Sequence, residues 1–263
     1  MKDLLLQAVH EAGTLLMKMF ESGIQVEFKG KYDLVTEADR QSEALIVSRI
    51  REQFPDHDIL AEEADYGCQG SDYRWIIDPL DGTTNYAHGF PWFAVSVALE
   101  INGQLELAAV YNPYVGELFF AEHGAGAFLN ERPLQVSTIS TLERSLVATG
   151  FAYNHKKCKA NNYDYFMRFQ KEAQACRRPG AASLDLACVA AGRFDGFWEM
   201  YLKPWDLAAG ILLIKEAGGC VSDFDGRPMT LDSLECLASN RLLHAEMQAI
   251  LQQGCRPHDN RSS

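Results

Sequence analysis

Apolar residues at the start of the chain recur at helical spacing. Leu5, Val9, Ala12, Leu16 and Met19 fall on one stripe and predict an amphipathic helix over about 2–20. A second helix is predicted over about 37–53. There Thr36 and Asp39 form a T-x-x-D capping pattern, Leu45, Ile46 and Ile50 give the buried face, and Pro55 lies just past the end. Two short apolar runs, Ile59-Leu60-Ala61 and Arg74-Trp75-Ile76-Ile77, read as strands. Each ends in acid, Glu62-Glu63 after the first and Asp78 after the second.

From Trp92 to Leu129 the pattern turns to sheet. Phe93–Leu99 and Leu105–Tyr111 read as strands joined by a hairpin at Asn102-Gly103, and Asn112-Pro113 leads into Leu118-Phe119-Phe120. Strands in succession with tight turns imply an antiparallel sheet. The second half alternates. It reads as a strand at Ser145–Thr149, a helix over about 160–175, a small-residue helix over 182–191, a strand at Phe194–Glu199, a helix over 205–217, a strand over 220–223 and a last helix over 242–251. This order predicts an α+β fold with helices layered on sheets. The polar stretch Ser137–Thr141 marks a boundary near 140–145, dividing 1–143 from 144–263. Residues 254–263 are polar and expected to fray.

Charge narrows the function. Lys plus Arg number 24 and Asp plus Glu 36, a net charge of −12. That balance speaks against direct binding to nucleic acid or an anionic membrane, both of which need basic patches. Seven cysteines without a C-x-x-C pair speak against a disulfide framework or a zinc site. Residues 1–20 include Lys2, Asp3, Glu11 and Lys18 and are not expected to be a signal peptide, and no run approaches the ~18 apolar residues of a membrane span. A cytoplasmic protein is expected.

The chemistry concentrates in Trp75–Tyr86. An apolar strand delivers Asp78 to its end, Pro79 stiffens the residues after it, and a tight turn is expected to aim Asp78 and Asp81 at one point. Gly82 allows close approach of a ligand, and the N–H groups of Gly82, Thr83 and Thr84 are placed to open a helix that cradles phosphate. Two converging carboxylates repel unless a cation lies between them, and a hard cation such as Mg²⁺ prefers oxygen ligands. The plainer reading of an Asp-Pro/Asp-Gly pair is a surface turn, but such a turn has no need of an apolar strand leading into it.

Asp78-Pro-Leu-Asp-Gly-Thr-Thr-Asn-Tyr86 resembles the first signature of the inositol monophosphatase family, and Trp205-Asp206-Leu-Ala-Ala-Gly210, running to Glu216-Ala-Gly-Gly219, resembles the second. Leu34-Val-Thr-Glu-Ala-Asp39, Glu62-Glu63 and Arg193-Phe-Asp-Gly-Phe-Trp-Glu199 resemble its other landmarks, in order. The resemblance implies a layered αβαβα sandwich of the inositol monophosphatase and fructose-1,6-bisphosphatase type. It implies a Mg²⁺-dependent phosphate monoester hydrolase acting on myo-inositol monophosphate. Glu62, Asp78 and the Leu80 carbonyl are implied to hold one Mg²⁺, and Asp78, Asp81 and Asp206 a second. A third, weaker ion is implied to touch Glu62 mainly through water, with Li⁺ as an inhibitor. Thr83, oriented by Asp39, is implied to activate water beside Glu62. The N–H groups of Gly82 and Thr83 are implied to bind phosphate, and Asp81 and Glu199 to accept substrate hydroxyls. The loop from Arg178 to Ser183 is given a minor substrate role, and Glu63 is left outside the ligand set. The stretch 1–143 then carries most ligands and 144–263 contributes Asp206 and Glu199, in one catalytic unit. A homodimer is also implied.

Plainer readings stay open. Asp39 also fits as the cap partner of Thr36, Asp206 as a cap of the helix from Leu207, Glu199 as a solvated strand end, and Asp223-Phe-Asp225-Gly226 as a turn. Thr83-Thr84-Asn85 favours the inositol branch, while a broader sugar-phosphate or fructose 1,6-bisphosphate phosphatase stays open. So does a protein-binding role in transcription complexes, which some bacterial relatives have. Lys29 is the candidate for an early lysine of animal members, and Lys31 and Tyr32 before Asp33 depart from the usual pattern.

Overall fold

The computed structural model describes residues 1–22, 26–28, 34–152 and 160–254. Lys29, Lys31, Tyr32, Asp33, Cys158, Cys255 and the rest of the polar tail lie outside them, as does the side chain of Thr36.

The first half runs α1 (Lys2–Ser22), β1 (Val26–Phe28), β2 (Leu34–Thr36), α2 (Glu37–Gln53), β3 (Asp58–Ala61), β4 (Tyr73–Asp81) and α3 (Thr83–Ala87). It continues through β5 (Ala94–Ile101), β6 (Gln104–Asn112), β7 (Glu117–Glu122), β8 (Gly126–Leu129) and β9 (Arg132–Pro133). The second half runs β10 (Leu146–Thr149), α4 (Tyr163–Glu172), β11 (Ala175–Arg177), α5 (Ala182–Ala190), β12 (Gly196–Met200), α6 (Pro204–Glu216), β13 (Cys220–Ser222), β14 (Glu235–Ser239) and α7 (His244–Leu251).

Strands β3 to β9 form a seven-stranded sheet in chain order. It is the expected antiparallel meander except at its start, where β3 and β4 run parallel. A parallel pair needs a crossover, and residues 62–72 supply it. The second sheet has five strands in the order β11-β10-β12-β14-β13, parallel among the first three. The two sheets sandwich α5 and α6. Helices α1 and α2 cover the far face of the first sheet, and α4 and α7 pack beside β11 and β14 of the second.

Alternation along the strands makes this layering. Ile76, Ala98 and Val110 join the core shared with α5 and α6, while Ile77, Val97 and Ala109 face α1 and α2. Helix α5 is buried from Ser183 to Ala190 and α6 from Leu207 to Ile214, because both their sides are covered. The predicted helix over 160–175 is shorter than expected: it ends at Glu172 and the chain returns as the edge strand β11. Among the described residues no helix is long and apolar enough to cross a membrane.

Candidate active site

In a regular strand, side chains three residues apart point to opposite faces. Strand β4 departs from this at its acidic end. Against β5, Asp78 pairs with Ser96 and Asp81 with Ala94, so three steps on β4 oppose two on β5. The extra residue is a β-bulge, which returns Asp81 to the face of Asp78. Pro79 sits inside the bulge, where its missing N–H is tolerated. A bulged strand, not the expected tight turn, brings the two carboxylates together.

Gly82 comes next, with φ 90°. A β-carbon there would lie 2.8 Å from the carbonyl oxygen of Trp92, so both backbone and space require glycine. The expected helix opens at Thr83, and Tyr86 ties it to α1 by donating to the Leu16 carbonyl at 2.7 Å. The Thr83 hydroxyl has two acceptors at 3.1 Å, Asp39 Oδ1 and the Leu80 carbonyl. Its single proton serves them, and its lone pairs remain to accept.

Asp81 reaches across to the start of α5. The backbone N–H of Ser183 at 2.7 Å and its hydroxyl at 2.5 Å both donate to Asp81 Oδ2, with help from the N–H groups of Ala182 and Leu184. A carboxylate from another segment thus caps this helix. Asp206 is in the first turn of α6 and accepts the Lys203 N–H at 2.7 Å. It is the third residue of a helix that starts at Pro204 and bonds back to the N-cap Lys203, rather than capping a helix from Leu207, and it faces the cavity.

That cavity, of about 730 Å³, is walled by Glu62, Asp78, Asp81, Thr83, Glu199 and Asp206. Leu80 and Gly82 also line it. Asp39 and Ser183 are buried behind the wall and hydrogen-bond to two of its members, Thr83 and Asp81. Two residues of the site carried no signal in the sequence. Asp185 lines the cavity and accepts the Trp92 indole N–H at 3.2 Å, but lies in a segment that reads as a packing helix. Gly150 gives room to the Glu199 carboxylate, which a β-carbon there would overlap. Glu216, by contrast, belongs to the second motif yet stands apart from the chemistry, where it accepts the N–H groups of Gly124 and Gly126 at 3.0 and 2.9 Å.

Burial pushes the Asp78 carboxyl well above the usual carboxylate range, and the charges of Glu62, Asp81 and Asp206 push it further. Burial is also the first cause at Asp206, pushed up to about 7, and at Glu199, pushed up to about 8. Asp185 is raised by burial, then by Asp81 and Glu199. Buried acids that resist ionisation together are completed by positive charge. An all-oxygen donor set suits a hard cation. Among the described residues no three His, Cys, Asp or Glu side chains already enclose one point. Mg²⁺ does not require that, since it keeps waters and shares substrate oxygens beside one or two carboxylates.

A sequence model of the inositol monophosphatase family matches residues 1–255. The chain belongs to this family. An inositol-1-monophosphatase of Synechocystis sp. is 46% identical over 247 residues, which is 93% of this chain and 86% of the relative. A Nus factor SuhB of Pseudomonas aeruginosa is 45% identical over 264 residues, 98% and 97% of the two chains. The solved inositol monophosphatase of Anabaena (Nostoc) sp. superposes with a TM-score of 0.88 at 42% identity, covering 98% and 97%. The layered α+β sandwich expected for the family is the fold observed.

Proposed function

We propose that the chain is a Mg²⁺-dependent phosphate monoester hydrolase acting on myo-inositol monophosphate. The observation that carries this reading is the convergence of Glu62, Asp78, Asp81 and Asp206 on one cavity, where neighbouring acids raise the pKa of Asp78 and Asp206. Glu62, Asp78, the Leu80 carbonyl, Asp81 and Asp206 would hold two Mg²⁺, with a third, weaker ion at Glu62. Bound there, Mg²⁺ supplies Lewis-acid chemistry for a water, the phosphoryl oxygens and the leaving oxygen.

The chain's own residues do the rest. Thr83 Oγ1 donates to Asp39 Oδ1, so it takes the proton of the attacking water beside Glu62 as its own passes to that carboxylate. The N–H groups of Gly82 and Thr83 hold phosphate oxygens, and Glu199 and Asp81 accept hydrogen bonds from hydroxyls of the polyol. The cavity, at about 730 Å³, has room for a phosphorylated ring. A homodimer completes the proposal, and sedimentation velocity checks it.

The deciding assay is phosphate release from inositol 1-phosphate, fructose 1,6-bisphosphate and 3′-phosphoadenosine 5′-phosphate, with and without Mg²⁺. Wild type should release phosphate only with Mg²⁺ and favour the inositol substrate, and Asp78→Asn should be inactive. Intact, Mg²⁺-loaded protein that releases none from the panel overturns the enzyme reading.

The similarity to a Nus factor SuhB favours a second reading, a partner role in transcription complexes. With a net charge of −12, such a role runs through protein contacts. Asp78→Asn should still bind a purified transcription complex while releasing no phosphate. Failure of both wild type and variant to bind excludes this role.

A further inference from the structure

Helix α2 turns a polar stripe inward. Asp39, Ser42 and Glu43 follow the i, i+3, i+4 spacing of one helix face, and their exposures are 0%, 0% and 2%. Burying such groups is unfavourable unless each is hydrogen-bonded. The three bond to three different segments of the acid site. Asp39 accepts from the Thr83 hydroxyl. Ser42 donates to the Pro79 carbonyl at 2.8 Å, inside the bulge between Asp78 and Asp81. Glu43 accepts the Glu63 N–H at 2.8 Å on one oxygen and the Tyr66 hydroxyl at 3.0 Å on the other, and the Ala64 N–H adds to this.

Glu43 thereby holds the backbone directly after Glu62. The rest of the same loop has an anchor of its own: Asp58 accepts from Gln69 N–H at 2.6 Å, Ser71 N–H at 3.0 Å and Cys68 Sγ at 3.4 Å. Closing the loop therefore does not by itself require Glu43.

We infer that Ser42 and Glu43 are positioning residues for the cation site, and that with Asp39 they make one face of α2 the template setting Glu62, the Asp78–Asp81 bulge and Thr83 at fixed separations. The inference rests on the proposed phosphatase reading for what the site holds. Groups behind the ligands of a metal site typically contribute 10–100-fold in affinity or activity.

The test compares wild type with Ser42→Ala, Glu43→Ala and Glu43→Gln. Mg²⁺ binding is measured by calorimetry without substrate, phosphate release against Mg²⁺ concentration, and thermal unfolding in chelator. Glu43→Ala should weaken Mg²⁺ binding by ~10-fold or more, and excess Mg²⁺ should restore most of its turnover. Glu43→Gln keeps an acceptor for the Glu63 N–H. It should unfold at the wild-type temperature and stay within about threefold of wild type in Mg²⁺ affinity. Ser42→Ala should weaken binding by roughly threefold or more. A folded Glu43→Ala with Mg²⁺ affinity within about twofold of wild type overturns the inference, since the expected effect is about tenfold. If Glu43→Ala does not fold, Tyr66→Phe removes one donor from the outer side of the turn. It should weaken Mg²⁺, and an unchanged affinity there overturns the inference. Wild type that binds Mg²⁺, loses it in Glu43→Ala and releases no phosphate overturns the enzyme reading alone. Wild type that binds no Mg²⁺ overturns both.

Discussion

Ser183 gives two hydrogen bonds to a single oxygen of Asp81, one from its backbone at 2.7 Å and one from its hydroxyl at 2.5 Å. Ser183→Ala removes the second and leaves the first. Unfolding free energy should fall by about 1.5–3 kcal/mol, as for a bond to a charged group. The Mg²⁺ needed for half-maximal phosphate release should rise several-fold. A change in KM alone would place Ser183 against substrate.

Gly150 and Glu199 pack so closely that any side chain at 150 must move the carboxylate. Gly150→Ala should raise KM for inositol 1-phosphate by roughly tenfold and change kcat far less, since the displaced carboxylate serves substrate and transition state alike. Steady-state kinetics on Gly150→Ala and Glu199→Gln should give the same pattern. A defect confined to kcat would move Glu199 out of the binding set.

The Asp39–Thr83 pair sets the opposite expectation. Thr83→Ala should lower kcat by about 100-fold, the usual scale for a missing proton acceptor, with KM little altered. Thr83→Ser keeps the hydroxyl and should recover most of the rate.

The acids have ordinary values of 3.8 for Asp206 and 4.5 for Glu199, and the folded chain raises them to about 7 and about 8. Between each pair of values the folded state binds the extra proton. These groups therefore favour folding least above the folded value, and the metal-free protein loses their support as pH climbs from about 4 towards 8. Asp206→Asn should flatten that loss in chelator. Mg²⁺ competes with the same protons, so calorimetry should show tighter binding at about pH 8 than at about pH 6 and proton release on binding. A pH-independent affinity would place the cation elsewhere.

His244 works in the other direction. Ser222 spends its proton on the Asp223 carbonyl at 2.6 Å and so accepts from His244 Nε2 at 2.9 Å, while Ser239 donates to Nδ1 at 2.9 Å. The neutral ring is satisfied, and burial pushes its pKa below the ordinary 6.5. The unfolded ring takes a proton more readily, so this contribution is complete above about pH 6.5 and lost as pH falls below it. Urea midpoints at about pH 7 and about pH 5 should differ more for wild type than for His244→Gln.

The two acidic motifs were legible because their chemistry is written in consecutive residues. The bulge was not, since Asp78 and Asp81 look equally well served by a turn, and only the partners Ser96 and Ala94 reveal the added residue. Ser42 and Glu43 were hidden because polar residues on an amphipathic helix read as its wet side. Their spacing from Asp39 was the available signal. Strands β11 and β14 were hidden for a different reason. The first has three residues, and the second is buried along all five, so neither shows alternation.

The cavity lies on a seam. Glu62, Asp78 and Asp81 arrive with the seven-stranded sheet, whereas Glu199 belongs to the five-stranded sheet and Asp206 to the helix between them. An ion shared by Asp78 and Asp206 would fasten the seam like a rivet. The layers would then part only in the ion-free fraction, so Mg²⁺ would slow unfolding by the same occupancy factor that it adds to stability.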